Sequence, residues 1–388
     1  MKIALNIESF SIAKGGGEVY ANSLATQFLG GGHEVHVFST SFDGGDGEIE
    51  GLHLHKVPVI SVPRSLRALT FARNSSRLLR DGEFDAVIGF GGSWEVDVLI
   101  SGGGTETVFS SQNLLSLDSP VERGLYRLFR KLTPRDHIRF FIDRRLYGGG
   151  RLKLVLPNSN MVKAHIVKYH DFPVGSIRVV YNGVDLEKFN TKDRGERGKE
   201  IRGRYGIGDE EVVILFMANN FRLKGLSCLI RAAGQLKGKV DIPFRLIVAG
   251  KGKSRGSYER LAAAEGCGER IIFVGRAAEP ERFFAAADIF VHPTFYDPCA
   301  GVCMEAMASG LPVVTTRFNG AGELVTDGVD GFVVDDPRDA DTLAEKIAWF
   351  FDEAKRTEAG KKAREAMEEY PWERNYTEIM EALGGLNA

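Results

Sequence analysis

Residues 290–315, FVHPTFYDPCAGVCMEAMASGLPVVT, predict a strand, a proline-containing turn, a helix and a second strand in succession. The helix is expected over about 300–309, because Gly310 follows it and a new apolar run then begins. Asp297 precedes this helix and Glu305 lies one turn inside it. Unpaired N–H groups at a helix start favour anions, and carboxylates suit hydroxyl groups. The pattern indicates a ligand with phosphates and hydroxyls, such as a sugar nucleotide.

Length and composition place the chain among globular proteins. Its 388 residues predict two domains of ordinary size, and 43% apolar and 26% charged residues are typical of a soluble protein. The net charge of −2 gives no electrostatic reason to expect a nucleic-acid partner. The four cysteines form no CxxC pair, which favours a reduced, cytoplasmic protein. No apolar run approaches the ~18 residues of a membrane-spanning helix.

The N-terminal residues predict the first unit of a doubly wound parallel sheet. KIALNIESF (residues 2–10) is a buried-strand pattern, a loop over 14–18 is rich in glycine, and an amphipathic helix with Val19, Leu24, Ala25 and Phe28 follows. Glycine lets a backbone approach a ligand closely, and the helix start attracts phosphate. A flexible turn between strand and helix explains the same residues equally well.

Residues 113–147 form a basic segment with interleaved apolar side chains. Eight Arg or Lys residues oppose four acids, so the segment carries 8 − 4 = +4. Basic amphipathic helices with aromatic residues can lie on anionic membranes, with Arg123, Arg127, Arg130 and Lys131 as candidate contacts. The alternative is a pair of ordinary surface helices, separated at Pro134, whose apolar faces pack inward.

A second α/β alternation begins at residue 212, after a charged segment at 190–203 that we predict to be the interdomain linker. Arg222 and Lys224 lie in a loop after its first strand, where parallel sheets bind ligands. In an extended loop both side chains point the same way and can meet a phosphate. Solvated surface charge is the competing interpretation of these two residues.

Asp297 and Glu305 also have alternatives. They fit a glycosidase-like acid/base pair, and they fit a turn residue and a helix N-terminal charge. A carboxylate beside a nucleotide more naturally accepts hydrogen bonds from ribose hydroxyls. His292, at a strand end, is expected to be a packed loop residue. No D-x-D pattern stands in a suitable position, so we expect no metal and no cofactor.

The chain resembles the retaining GT-B glycosyltransferases of family 4 over nearly its whole length. The resemblance rests on the order and spacing of several motifs, which are GGGE (15–18), Asn158, Ser159 and Lys163 at a helix start, VYNGVDLEKF (180–189), FRLKG (221–225), and the run from AADIFVHPTFYDP to MEAMASGLPVV (286–314). FRLKG and TTRFNGAGELVTDGVDGFVVDDP (315–337) look most like bacterial enzymes of lipopolysaccharide core biosynthesis, which add glucose or a similar sugar to lipid-linked heptose.

The resemblance implies a role for each matching residue. Arg222 and Lys224 would neutralise the donor diphosphate and stabilise the leaving nucleotide. Asp297 would grip the donor sugar together with the backbone N–H groups of Ala300, Gly301 and Val302. The remaining donor-binding candidates are Glu305 at the ribose, Arg276 at the base, and Gly16 and Gly17 at the diphosphate. Transfer would retain the anomeric configuration, by front-face attack assisted by the donor phosphate.

Three positions depart from the family pattern. Asp297 stands where the first of two glutamates is usual, which shortens the side chain by one methylene. Arg222 lies two residues before Lys224, whereas the phosphate arginine is usually about four residues before the lysine or adjacent to it. Glu106 takes about the place of a histidine near the donor sugar. With Glu18, it is the candidate on the acceptor side.

The sequence therefore predicts an α/β protein of GT-B type, with two Rossmann-like doubly wound domains facing a cleft. Residues 1–188 would form the acceptor domain, with helix 372–388 packing back on it, and 189–371 the donor domain. The predicted activity is hexose transfer from a UDP-sugar or other nucleotide sugar to a glycolipid, in the cytoplasm at the inner membrane face. The alternatives are a GT-B sugar-nucleotide epimerase or phosphorylase, and a sugar-binding partner with a degenerate site.

Overall fold

The computed structural model describes residues 1–11, 16–43, 51–62, 64–192, 194–252 and 254–386. The chain divides into two compact units. Unit 1 is Met1–Tyr181 with Asn375–Ala388, and unit 2 is Asn182–Arg374. The boundary thus falls at 181/182, slightly before the position expected from the sequence.

Unit 1 is built on a six-stranded parallel sheet. Its strands are β1 (Lys2–Asn6), β2 (Phe10–Ser11), β3 (Glu34–Ser39), β4 (Phe42–Asp43), β5 (Leu52–Lys56), β6 (Ala86–Gly89), β7 (Val98–Ser101) and β8 (Leu154–Pro157). Its helices are α1 (Gly16–Gly30), α2 (Arg64–Arg80), α3 (Glu106–Leu115), α4 (Pro120–Leu132), α5 (Pro134–Gly148) and α6 (Asn160–His170). The sheet order is β5, β3, β1, β6, β7, β8, while β2 pairs with β4. This order is that of a doubly wound sheet.

Unit 2 repeats the same plan. Its strands are β9 (Val212–Met217), β10 (Phe244–Ala249), β11 (Ile271–Gly275), β12 (Ile289–His292), β13 (Val313–Thr316) and β14 (Gly331–Val334). Its helices are α7 (Arg194–Arg204), α8 (Leu226–Leu236), α9 (Arg255–Ala264), α10 (Pro280–Ala286), α11 (Gly301–Ala308), α12 (Ala340–Trp349) and α13 (Glu353–Met367). The sheet order is β11, β10, β9, β12, β13, β14. The strand–turn–helix–strand succession predicted over 290–315 is confirmed.

The apolar runs form these strands because each sheet is covered on both faces. In β9 all six residues, VVILFM, are buried. Helix α1 buries Leu24, Ala25 and Phe28 as its periodicity predicts. Val19, which we expected on the same face, is instead 41% exposed.

The linker predicted over 190–203 is wrong for most of its length, because residues 194–204 form helix α7. Helix α7 makes two close packing contacts, although few of its residues are apolar. The Arg202 guanidinium bonds Asp288 at 2.6 Å. A Cβ at Gly198 would lie 2.5 Å from the carbonyl oxygen of Ala285. The charged side chain and the glycine allow α7 to pack closely against α10. The charge and glycine content of this segment therefore does not indicate an unstructured linker.

The C-terminal helix α14 (Trp372–Gly384) ends the fold. Ile379, Ala382 and Leu383 pack in the unit 1 core with Ile3 and Phe28. The Asn375 side-chain amide also donates to the Tyr181 carbonyl at 2.6 Å. The last residues therefore belong structurally with the first 181.

Candidate functional site

The candidate chemistry of unit 2 lies where the strand order reverses. Strands β9 and β12 are neighbours and run parallel. The chain leaves each of them into a loop, one carrying Lys224 and the other Asp297. Open α/β sheets bind ligands at the carboxyl ends of strands, at this kind of switch point. Topology therefore brings together two residues that lie 73 positions apart.

Lys224 and Asp297 form a close ion pair. The Lys224 ammonium donates to Asp297 Oδ2 at 2.5 Å and to the Tyr296 carbonyl oxygen at 2.9 Å. Both charged side chains are 17% exposed. An ammonium has three N–H donors, so one remains for a ligand after these two bonds. Its position is fixed before any ligand arrives.

Buried His292 lies near the same oxygen of the Asp297 carboxylate that Lys224 contacts. Its Nε2 is 3.5 Å from Asp297 Oδ2. Burial alone would raise the pKa of Asp297, but Lys224 and His292 more than offset it and hold that pKa well below its usual range. Burial lowers the pKa of His292, and the Lys224 charge adds to this effect. At neutral pH Asp297 is therefore ionised and His292 is neutral.

Backbone contacts hold the two loops against each other. The Phe295 N–H donates to the Leu223 carbonyl at 2.9 Å, and the Thr294 hydroxyl donates to the same carbonyl at 3.2 Å. Gly225 has φ +78°, and a Cβ there would lie 2.0 Å from the Pro293 carbonyl oxygen. Glycine after Lys224 is thus required by the fold, because both the conformation and the space exclude a side chain.

Helix α11 begins beside this pair, and one predicted donor has a partner within unit 2. The Ala300 N–H donates to Asn319 Oδ1 at 3.1 Å, and its role at the donor sugar stays a prediction. Gly301 and Val302 are the first two helical residues, and their N–H groups have no acceptor within the helix. The Asn319 amide also donates to the Thr315 hydroxyl at 3.0 Å. Asn319 thereby ties the helix start to strand β13.

Glu305 has a separate environment from Asp297. It is half-buried on α11. Burial raises its pKa to about 7, against the opposing charge of Lys188 and with the added repulsion of Glu281. Lys188 Nζ and Glu281 Oε2 are themselves 3.6 Å apart. Hydrogen-bond donors such as hydroxyls would favour the ionised form of Glu305.

One of the two arginine candidates lies in the same turn as Lys224, and the other lies in a different loop of unit 2. Arg222 is half-buried between buried Phe221 and Leu223, and Arg276 is exposed directly after β11. The extended loop predicted around Arg222 is wrong, since the Lys224 N–H bonds the Asn220 carbonyl at 3.0 Å in a turn. The alternation of burial nevertheless leaves Arg222 and Lys224 as the two less buried side chains of the turn.

The glycine candidates of unit 1 lie at the start of α1. Gly16 and Gly17 open this helix and Glu18 lies in its first turn, while the preceding residues 12–15, including Gly15, are outside the described chain. A Cβ at Gly16 or Gly17 would meet no described atom within 4 Å. Packing among the described residues does not require glycine there. Close approach to a ligand therefore stays a prediction.

Glu106 has charged partners within its own unit. It lies 3.6 Å from Arg139 and 3.9 Å from Arg130. Burial raises its pKa, and the Arg139 charge opposes that shift. Arg130 also bonds Asp136 at 2.6 Å and is 15% exposed. Two groups predicted separately, a sugar-site acid and a membrane-contact base, are thus parts of one ion-pair network.

The sequence does not indicate a functional role for three residues that lie near the candidate site. It predicts only packing for His292, although this residue stands five positions before Asp297. Lys188 lies in the VYNGVDLEKF motif, but nothing in that motif predicts its proximity to Glu305. Asn319 carries no local signal, since its role depends on the isolated bridge between Asp297 and Asn319.

The chain folds into two doubly wound units, one with a lysine–carboxylate pair beside a helix start at its switch point, which is the layout that the sequence predicts for a GT-B enzyme. Comparison with known proteins agrees with this class. A family model described as glycosyltransferase family 4 matches residues 14–188, and one described as glycosyl transferases group 1 matches residues 198–367. The chain belongs to the GT-B glycosyltransferases of family 4.

Named relatives extend over most of the chain. Lipopolysaccharide glucosyltransferase WaaG of Escherichia coli K12 is 24% identical over 325 residues, which cover 84% of this chain and 83% of WaaG. A D-inositol 3-phosphate glycosyltransferase of Arthrobacter sp. strain FB24 is 26% identical over 400 residues, covering 95% and 89%.

Solved structures show the same fold. A crystal structure of WaaG has a TM-score of 0.82 at 21% identity, covering 99% of this chain and 100% of that chain. Anabaena Alr3699/HepE in complex with UDP-glucose has a TM-score of 0.71 at 19% identity, covering 99% of this chain and 100% of that chain.

The glycosidase interpretation of Asp297 and Glu305 is set aside, because the family is one of transferases.

Proposed function

We propose that this glycosyltransferase moves a hexose from a UDP-sugar to a membrane glycolipid such as the lipopolysaccharide core, with retention of configuration. The observation that carries the proposal is the Lys224–Asp297 pair at the switch point of unit 2. WaaG, a lipopolysaccharide glucosyltransferase, and HepE, which binds UDP-glucose, support the choice of acceptor and donor.

Lys224 suits a diphosphate leaving group. The Asp297 carboxylate and the Tyr296 carbonyl hold two of its N–H donors, which orients the third. A cation positioned in advance stabilises charge that develops on the leaving oxygen at little reorganisation cost. Arg222, on the same turn, is the second candidate cation for the phosphates.

We assign recognition of the donor hydroxyls to the two carboxylates, Asp297 and Glu305, and to the backbone at the start of α11. Asp297 Oδ2 faces Lys224 and His292, so its other oxygen, Oδ1, is the candidate acceptor for a sugar hydroxyl. Glu305 is the candidate for the ribose hydroxyls, and Gly301 and Val302 offer backbone donors. Asp297 then has two tasks, orienting Lys224 and binding sugar.

The donor is tested by titrating a panel of nucleotide sugars into the protein by calorimetry. UDP-hexoses are expected to bind more tightly than the matching GDP-, ADP- and dTDP-sugars, and to be hydrolysed slowly without acceptor. A preference for another nucleotide would replace the UDP assignment. Turnover that interconverts sugar nucleotides, or that needs free phosphate, would instead support an epimerase or a phosphorylase.

Helix α4 supports the membrane part of the proposal. None of its residues is buried. One face presents an apolar stripe at 58–74% exposure, formed by Val121, Leu125, Leu128, Phe129 and Leu132. Such stripes mark interaction sites, and Arg127 and Lys131 are exposed on the same helix. From this stripe and its neighbouring cations we propose contact with the anionic inner membrane surface. In the described chain no helix is long and apolar enough to cross a bilayer.

Two of the four candidate cations have partners within unit 1. Arg130 bonds Asp136 and Ser110. Arg123 donates through Nε to the Leu117 carbonyl at 2.8 Å. Both guanidiniums are thus engaged within unit 1, and Arg127 and Lys131 are the remaining candidates for lipid headgroups.

Replacing Arg127 and Lys131 by serine is expected to weaken binding to anionic vesicles by about 1 kcal/mol per charge. Replacing Leu128 and Phe129 by serine should weaken it further, by about 1.5–3 kcal/mol per side chain if each is fully inserted. Co-sedimentation with phosphatidylglycerol vesicles measures both effects. Ile242→Ser, which removes an exposed apolar residue of unit 2, is the control. Equal sedimentation of all four proteins would contradict membrane contact through α4.

A further inference from the structure

A cluster of imidazoles with one carboxylate lies on an edge of the unit 1 sheet. The edge strand β5 pairs in parallel with β3, which places His53 opposite His36 and His55 opposite Phe38. Alternate residues of a strand share one face. Glu34, His36, His53 and His55 therefore project from the same face of the sheet.

Three of these side chains bring ligand atoms together. Glu34 Oε1 lies 2.7 Å from His36 Nε2 and 3.6 Å from His53 Nε2. Each of the three residues offers one ligand atom within 4.8 Å of those offered by the other two. Ligand atoms around a tetrahedral zinc ion lie about 3.4 Å apart, given metal–ligand distances of about 2.1 Å. Small turns of the half-exposed Glu34 and His53 side chains can reach that spacing while buried His36 stays in place.

His36 has the support that a metal-binding histidine needs. Its Nδ1 is 2.8 Å from His55 Nε2, and the His55 ring stacks on Phe38 at 4.5 Å between centroids. Phe84 packs edge-on against the His36 ring at 5.2 Å. With a metal on Nε2, His36 carries its proton on Nδ1 and donates it to His55. This second contact fixes both the tautomer and the ring orientation.

We propose that Glu34, His36 and His53 bind a divalent transition-metal ion of the zinc type, with water completing its coordination. Two imidazoles and a carboxylate are ligands that such ions accept, whereas Ca²⁺ and Mg²⁺ prefer oxygen alone.

The proposed site is separate from the transfer chemistry. Glu34 is the first residue of β3, so the cluster begins at the amino end of the strand, whereas ligands of parallel sheets bind at the carboxyl ends. An ion here would join β5 to β3 and stabilise a sheet edge. It differs from the metal that some sugar transferases use at the donor, which this sequence gave no reason to expect.

The test is calorimetric titration of ZnCl₂ into untagged, chelator-treated full-length protein at pH 7.5. The wild type is expected to bind one ion per chain. Glu34→Gln and His53→Gln should each weaken the affinity by about tenfold or more, and His55→Gln by about 10–100-fold through lost orientation of His36. Each variant is checked by circular dichroism, although Glu34 and His53 are exposed enough to be replaced without unfolding the sheet.

His137→Gln is the matched control, since His137 is an exposed histidine on α5. It should bind zinc as the wild type does. Absence of saturable one-site binding in the wild type would overturn the proposal. So would unchanged affinity in the Glu34→Gln/His53→Gln double variant, because binding would then arise from other surface groups.

Discussion

Replacing Lys224 by methionine is expected to lower the turnover number for sugar transfer by about 10²–10³-fold, the usual cost of losing one positioned electrostatic group. Methionine fills much of the lysine volume but offers no charge and no N–H donor. The loss should appear in kcat, because charge on the leaving diphosphate is greatest in the transition state. Initial rates at saturating donor and acceptor give this number directly.

Two further variants make that result specific. Lys224→Arg keeps the charge but not the geometry of the contacts to Asp297 and Tyr296, so it should recover only part of the rate. Lys237→Met removes an exposed lysine at the end of α8 and should leave the rate unchanged. An unaltered kcat in Lys224→Met with a raised KM would mean that Lys224 binds donor and transition state equally, and would contradict its role at the leaving group.

The fold was largely predictable because its signals are local. Apolar runs bounded by glycine or proline predicted strands such as β9 and β12, and their alternation with helices implied parallel sheets. Helix α7 escaped prediction because it is polar on most of its surface and packs through backbone contacts at Gly198. The short apolar side of such a helix leaves little periodic pattern.

The candidate site was predictable as a list of residues but not as a set of contacts. The sequence singled out Lys224 and Asp297 separately, one for phosphate and one for sugar. Their direct pairing depends on two loops that the strand order brings together, and no local pattern encodes it. The ion-pair partners of Glu106 were also not predictable, since Arg130 and Arg139 lie on helices whose packing the sequence does not specify.

Replacing Asp297 by alanine is expected to lower the free energy of unfolding by about 3 kcal/mol at pH 7, at the lower end of the range for breaking a buried ion pair. The ammonium of Lys224 would remain in a largely buried position without its counterion. The measurement is urea denaturation followed by circular dichroism, with Asp288→Ala as a comparison, because Asp288 also forms a 2.6 Å ion pair in unit 2 but with Arg202.

The stability that the ionised Asp297 side chain contributes depends on pH in a definite direction. The pKa of Asp297 is lower in the folded protein than in the unfolded chain, so its contribution to stability is present above the unfolded value of about 3.9 and is lost as the pH falls. The difference in unfolding free energy between wild type and Asp297→Asn should therefore be largest near pH 7 and shrink below about pH 4. A difference that grows on acidification would show that Asp297 is not held ionised by Lys224.

The double variant Asp297→Ala/Lys224→Met separates stability from function. Once both charges are gone, neither member of this pair is left as an unpaired ion, and replacement of a whole buried pair by apolar groups is often close to neutral for stability. We expect the double variant to recover most of the stability lost in Asp297→Ala and none of the transfer rate lost in Lys224→Met. Recovery of both would reduce the pair to a packing feature. If the double variant recovers neither, and the coupling energy between the two substitutions is zero, each residue acts through contacts other than their shared ion pair. A non-zero coupling energy would exclude that interpretation.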